Sequence, residues 1–197
     1  MTKHEGILKN CRLRRGIPSS LRGEAAFTIL ELLVVITIII ILAGLTIATM
    51  GYVQDKAKRS RAEAEIAAIS AALENYKADN GIYPRSSETD ALDPTAAGNP
   101  TPSASLKLYE FLSGDTNHDR KADTKSYFSF KPNQLSPTDQ TKNVTALTDP
   151  FGNPYGYSTL HQADVDAAKP TPRGYNPTFD LWSTAGGKLS PSWIKNW

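Results

Sequence analysis

The sequence predicts an α+β fold in which one long N-terminal helix packs on a small antiparallel sheet. Three observations carry this. From Leu32 to Met50 there is no charged residue, and only Thr37, Thr46 and Thr49 are polar. Beyond that run, Ala62, Ile66, Ile69, Leu73 and Tyr76 recur at spacings of four and three, which is the apolar stripe of a helix. The C-terminal half then offers short β-type segments bounded by Gly, Pro, Asn and Asp.

The chain of 197 residues has a formal charge of +2 and 40% hydrophobic residues, which suits one domain of ordinary size plus additional segments. Its basic residues gather before the apolar run: Lys3, Lys9, Arg12, Arg14, Arg15 and Arg22, opposed by Glu5 and Glu24. That asymmetry is a topology signal. It places residues 1–26 in the cytoplasm and everything after Met50 outside. It gives no reason to expect a nucleic-acid partner. The single cysteine, Cys11, lies in this leader, so no intramolecular disulfide is available.

Residues 27–50 read as a transmembrane helix. The uncharged run alone, at about 1.5 Å per residue, spans about 28 Å, close to a hydrocarbon core. Residues 51–84 continue it as an amphipathic helix rich in Ala, Glu, Lys and Arg. No proline interrupts that helix before Asn80-Gly81 supplies a stop, and Pro84 follows. One helix from about Phe27 to Asp79 is expected. Residues 85–197 form the globular domain. It opens with a polar, Pro- and Gly-containing loop over 85–104. "SLKLYEFLSG" reads as a short helix ending at Gly114, and "SYFSFK" as a strand. "DPFGNPYGYST" reads as a turn entering a strand, and "TFDLWST" as another strand. The tail "LSPSWIKNW" carries two tryptophans that can close the sheet edge.

An acidic side chain at the edge of a membrane span is costly and raises a functional question. The bland answer is that Glu31 snorkels to the interface. Its context, "FTILELLVV" behind a short basic leader, resembles the N-terminal signature of type IV pilin-like proteins. The resemblance implies cleavage by a prepilin peptidase/methyltransferase between Ala26 and Phe27, N-methylation of Phe27, and an assembly role for Glu31. Ala26 stands where that family usually has Gly, and Gly23 lies three residues earlier. Further on, "KRSRAEAEIAAISAALENYKADNGIYP", "DPFGNPYGY" and "FDLWS" are similar to stretches of the major pseudopilin of type II secretion. The span lacks the proline usual in type IV pilins proper, and the chain after the leader has no cysteine. Both absences favour a pseudopilin.

The resemblance implies a pilin-like fold and a structural, non-enzymatic subunit of a periplasmic pseudopilus that drives protein secretion. Its partners would be other copies of the chain, minor pseudopilins, the processing peptidase, an inner-membrane assembly platform and its ATPase. It would be a single-pass protein of the bacterial inner membrane, with a cytoplasmic N-terminus and a periplasmic domain. Other readings stay open: a type IV pilin of a surface fibre for adhesion, motility or DNA uptake; a membrane-anchored periplasmic binding or enzymatic domain; or a secreted protein cleaved between Ala43 and Ala48. No nucleophile elbow, phosphate-binding loop or zincin motif is present.

"GDTNHDRKADTKS" is the candidate metal site. Asp115, Asn117, Asp119, Lys121 (through its carbonyl) and Asp123 fall at positions one, three, five, seven and nine of an EF-hand-like loop, the spacing of a Ca2+ site. The stretch is also similar to the calcium loops of dockerin modules. Arg120 occupies position six, where such loops carry Gly, and Ser126 occupies position twelve, where they carry an acid. The competing reading is a solvated polar loop with turn-forming Asp and Asn. The major pseudopilin family also holds calcium in a loop after its "DL-S" strand. Here "DLWSTAGGKLSPSW" lacks the acidic side chains such a site needs, so that site is expected to be missing.

Overall fold

The computed structural model describes residues 27–96, 100–187 and 192–197. The leader, with Ala26 and Cys11, lies outside them. The chain divides into two compact units, Met1–Ile47 and Ala48–Trp197. Helix α1 (Ile29–Asn80) supplies the described part of the first unit, apart from Phe27 and Thr28, and opens the second.

In the first unit, Thr28 starts the helix: its hydroxyl accepts the Glu31 amide at 3.2 Å, satisfying one of the free first-turn donors. The run is rich in β-branched residues, which are indifferent helix formers in water. In lipid the backbone must satisfy its own polar groups, and a helix does so. The Thr37 and Thr46 hydroxyls donate to the carbonyls of Leu33 and Leu42, each at 2.8 Å. These two polar side chains are thereby turned back on the helix itself. Every large apolar side chain from Phe27 to Ile47 is at least 48% exposed, so this unit presents an apolar surface with no protein cover of its own.

In the second unit, α1 buries the predicted stripe. Ala62, Ile69 and Leu73 are fully enclosed and Ile66 nearly so, while Tyr76 is partly covered. The helix stops where expected: Gly81 takes φ 79° and its amide donates to the Lys77 carbonyl at 2.7 Å. Against this stripe stand helix α3 (Pro102–Ser113), with Leu108 and Leu112 inward, and two small antiparallel sheets. Strand β1 (Leu135–Ser136) pairs with β2 (Ala146–Leu147). Strand β3 (Gly156–Ser158) pairs with β4 (Asp180–Ser183), and β4 with β5 (Ile194–Lys195). Tyr155, Tyr157 and Leu181 bring the second sheet into the core, while Trp182 is buried on the other face of β4 against Trp193 and Trp197. The α+β, pilin-like reading is borne out.

Four details differ from expectation. Residues 85–104 are not simply a loop. Ser86 caps helix α2 (Ser87–Ala91) through a reciprocal box with Thr89, and Thr101 caps α3 ahead of Pro102. "SYFSFK" bends at Tyr127 and joins no sheet, because the Tyr127 and Phe128 amides both donate to the Leu112 carbonyl at the end of α3. Its aromatic rings pack instead on Tyr76 and Tyr109. A short helix, α4 (Leu160–Asp166), follows β3 directly. Finally, the C-terminal segment becomes the edge strand β5 itself, with Trp193 stacked on Trp182.

Candidate functional site

At the N-terminus the structure places Glu31 in the first turn of α1, exposed, with Phe27 also exposed. An acidic group there complements the partial positive charge of the helix start. The other residue of the expected cleavage pair, Ala26, lies outside the described residues.

The acidic loop after α3 is built around Asp115. Gly114 ends α3 at φ 74°, and a Cβ there would lie 2.7 Å from the Thr124 carbonyl oxygen, so only glycine lets the loop return so closely. The Asp115 side chain is buried. Its carboxylate accepts the Tyr109 hydroxyl at 2.6 Å, the Asp119 amide at 3.1 Å and the Arg120 amide at 2.7 Å. Burial and this carboxylate push the Tyr109 phenol far above its ordinary range, which keeps it a donor. Asn117 accepts the Asp119 amide, Asp119 accepts the Lys121 amide, and Asp123 accepts the Thr116 amide and hydroxyl.

Arg120 explains its own position. Its φ of 73° is one that glycine usually takes. The guanidinium repays that strain by binding the carbonyls of Pro137, Asp139 and Lys142 at 2.6–3.1 Å, pinning the loop to the next one. His118, also left-handed, offers its carbonyl to the Val144 amide. The side-chain acceptors of Asp115, Asn117, Asp119 and Asp123 therefore face the loop's own amides. Among the described residues, no three His, Cys, Asp or Glu side chains are grouped so as to hold a metal ion. Part of the other stretch weighed for calcium, residues 188–191, lies outside the described residues.

A polar network that periodicity does not reveal joins the helix to the sheet. In the "DPFGNPYGY" turn, Asp149 Oδ1 accepts the Phe151 and Asn153 amides, and Oδ2 accepts the Ser183 hydroxyl at 2.5 Å. The two stretches that carry the C-terminal resemblance are thus bonded to each other. Burial, partly offset by these donors, raises the Asp149 carboxyl. Next to it, the Tyr155 hydroxyl reaches Glu65 on α1, which also pairs with Arg61. A second network fastens the loop before β4, where Arg173 and Lys169 hold the Asp164 carboxyl well below the usual carboxylate range. The Asp-Pro and Gly-Asn-Pro dipeptides mark the first turn in the sequence, but nothing in it marks the partners 34 and 90 residues away.

Residues 49–109 match the family model described as type II secretion system (T2SS), protein G. The chain is 40% identical over 82 residues to the type II secretion system core protein G of Pseudomonas aeruginosa, covering 41% of this chain and 58% of that protein. It is 42% identical over 82 residues to the core protein G of Aeromonas hydrophila (40% and 57%). To that of Vibrio cholerae it is 34% identical over 82 residues (42% and 56%). The chain therefore spans a little over half the length of these relatives. No solved structure matches. The resemblance to the major pseudopilin of type II secretion is borne out by these matches.

Proposed function

We propose that this chain is a structural pseudopilin, a subunit that polymerises into a periplasmic pseudopilus serving type II protein secretion. The observation that carries the reading is the apolar surface of α1 from Ile29 to Ile47, exposed throughout, with Glu31 as its one charged residue. In the membrane, lipid covers that surface; in a fibre, the same surface on neighbouring copies does. The similarity of residues 49–109 to protein G of the secretion system supports the same assignment.

In this reading the peptidase cuts between Ala26 and Phe27 on the cytoplasmic side, and the new amine of Phe27 is methylated. The Glu31 carboxylate then pairs with the terminal ammonium of an adjacent subunit in a staggered stack. Either charge alone in an apolar core is expensive, and the pair is far less so. The domain from residue 51 onward decorates the fibre on the periplasmic side. Minor pseudopilins, an assembly platform and its ATPase complete the machine.

Mass spectrometry of the mature N-terminus in the membrane fraction of the native host tests the assignment. A chain beginning at methylated Phe27 is the expected result. An intact Met1 reduces the span to a plain anchor, and a start after Ala43 makes the chain a conventionally secreted domain. Glu31→Ala should be processed normally yet fail to enter fibres. Fibres outside the outer membrane would move the assignment to a surface pilus.

Calcium at Asp115, Asn117, Asp119, Lys121 and Asp123 is a separate proposal, supported by spacing alone. Calorimetric titration of the full-length chain in detergent with CaCl2 decides it. Binding heat that disappears in Asp119→Ala supports the site, and a flat isotherm removes it.

A further inference from the structure

The segment just beyond the apolar run is strongly cationic. Lys56, Lys58, Arg59 and Arg61 fall within six residues that contain no acid, with Asp55 just before them and Glu63 and Glu65 just after. Such a cluster is unexpected here. Cations within about 15–20 residues of a span hold that end in the cytoplasm, so a group on the far side opposes the signal of the leader. Lys56 and Lys58 are exposed, and among the described residues neither is paired with a carboxylate. Lys58 lies 5.7 Å from the Phe151 ring centre, and Arg59 donates to the Ser192 carbonyl. Arg61 pairs with Glu65 yet keeps 43% of its side chain exposed.

We propose that residues 56–61 form a cationic collar that binds the anionic phospholipid headgroups of the bilayer in which the span sits. The inference rests on reading residues 27–50 as that span.

Position along the helix is the first argument. Tyr52, 75% exposed, and Val53, 60% exposed, follow Met50 directly. An exposed aromatic in that place is the usual marker of the membrane–water interface. Lys56 comes one helical turn after Tyr52, a rise of about 6 Å, and Arg61 about 7–8 Å after Lys56. Headgroup layers are about 5–8 Å thick on each side of the hydrocarbon. In a helix every Cα–Cβ bond tilts toward the N-terminus, which here is the membrane side, and long basic side chains extend that reach.

Azimuth is the second. At about 100° per residue, Lys58, Arg59 and Arg61 lie roughly 200°, 300° and 140° around the axis from Lys56. The cations are therefore spread around the axis instead of lining one face: Lys58 and Arg59 lie toward Phe151 and Ser192 of the chain's own domain, and Lys56 and Arg61 lie to either side of that arc. A protein partner needs a single face, whereas headgroups can reach cations at several azimuths. Each Lys or Arg near an anionic surface adds attraction that salt screens within a Debye length.

The test uses the full-length chain in proteoliposomes of phosphatidylcholine with about 30% phosphatidylglycerol. Spin-labelled versions of each lipid report which one is motionally restricted by the protein. The comparison is wild type against Lys56→Gln/Lys58→Gln, two exposed positions whose replacement should leave circular dichroism and melting unchanged. Wild type is expected to prefer labelled phosphatidylglycerol about fivefold at low salt, and the double variant to lose at least about half of that preference. An unchanged preference in the variant overturns the collar and assigns lipid selectivity to the leader. If the variant instead loses fibre assembly at unchanged lipid preference, the cations belong to a protein neighbour. If neither lipid shows a restricted component, the chain does not span the bilayer, and both the collar and the span reading fall.

Discussion

The Tyr155 hydroxyl donates to the Glu65 carboxylate at 2.7 Å, joining the residue before β3 to the buried face of α1. Burial and the neighbouring carboxylate push that phenol far above its ordinary range, so it remains a donor throughout the accessible pH range. Tyr155 has no exposed surface, and the Glu65 side chain is only 12% exposed. Tyr155→Phe keeps the ring and removes the donor, leaving Glu65 to Arg61 alone. A loss of about 1–2 kcal/mol is expected from urea unfolding monitored by circular dichroism.

Gly156 lies against the indole of Trp182 on the paired strand. A Cβ on Gly156 would fall 2.1 Å from Trp182 Cε2, inside any tolerable contact. Trp182 is fully buried and stacked on Trp193, so it has nowhere to retreat. Gly156→Ala should cost about 3 kcal/mol or more and lower the melting temperature by well over the shift for Tyr155→Phe.

Asp115 holds two backbone amides and a phenol in a buried position. Asp115→Ala should destabilise the domain by about 3 kcal/mol, with Asp115→Asn costing less because it keeps part of the acceptor set. Melts in EDTA isolate this structural contribution from any effect of a cation. Equal stability of wild type and Asp115→Ala in EDTA would contradict the role assigned to the carboxylate.

Two buried carboxyls give opposite pH dependences. Asp149 is raised by burial, so the fold binds its proton more tightly than the unfolded chain does. Its contribution is favourable in acid and is withdrawn as pH rises from about 4 through the raised value. Asp164 is lowered by Arg173 and then by Lys169, so its contribution is complete above about 4 and is lost as pH falls toward its depressed value. Unfolding curves at several pH values should show Asp149→Asn gaining on wild type as pH rises from about 4 to about 7. Arg173→Ala should be shallower than wild type on the acid side.

Helix α1 was legible because its signals are local. The uncharged run, the stripe from Ala62 to Tyr76 and the Asn80-Gly81 stop each sit within a few turns, and helix hydrogen bonds join residues four apart. Gly114 as the end of α3 and the strands within "DPFGNPYGYST" and "TFDLWST" were legible for the same reason. "SYFSFK" shows where this fails. Its alternation is that of a strand, but its amides go to the end of α3, a competition decided by a carbonyl brought near through folding. The box at Ser86 was readable in principle, since Thr89 stands three residues on, but Thr is a weaker partner there than Glu or Gln.

By itself the sequence determined the long helix, its division into an apolar and an amphipathic part, and the α+β class. All of these follow from the order of residues along one element. The tertiary structure decided what the polar side chains do. It put Asp149 on Ser183, Glu65 on Tyr155 and Arg120 on the carbonyls of a second loop. It also drew the acceptors of the Asp115 loop onto that loop's own amides. A buried polar group must find a partner wherever the packed chain offers one, and that partner can lie any distance away in sequence.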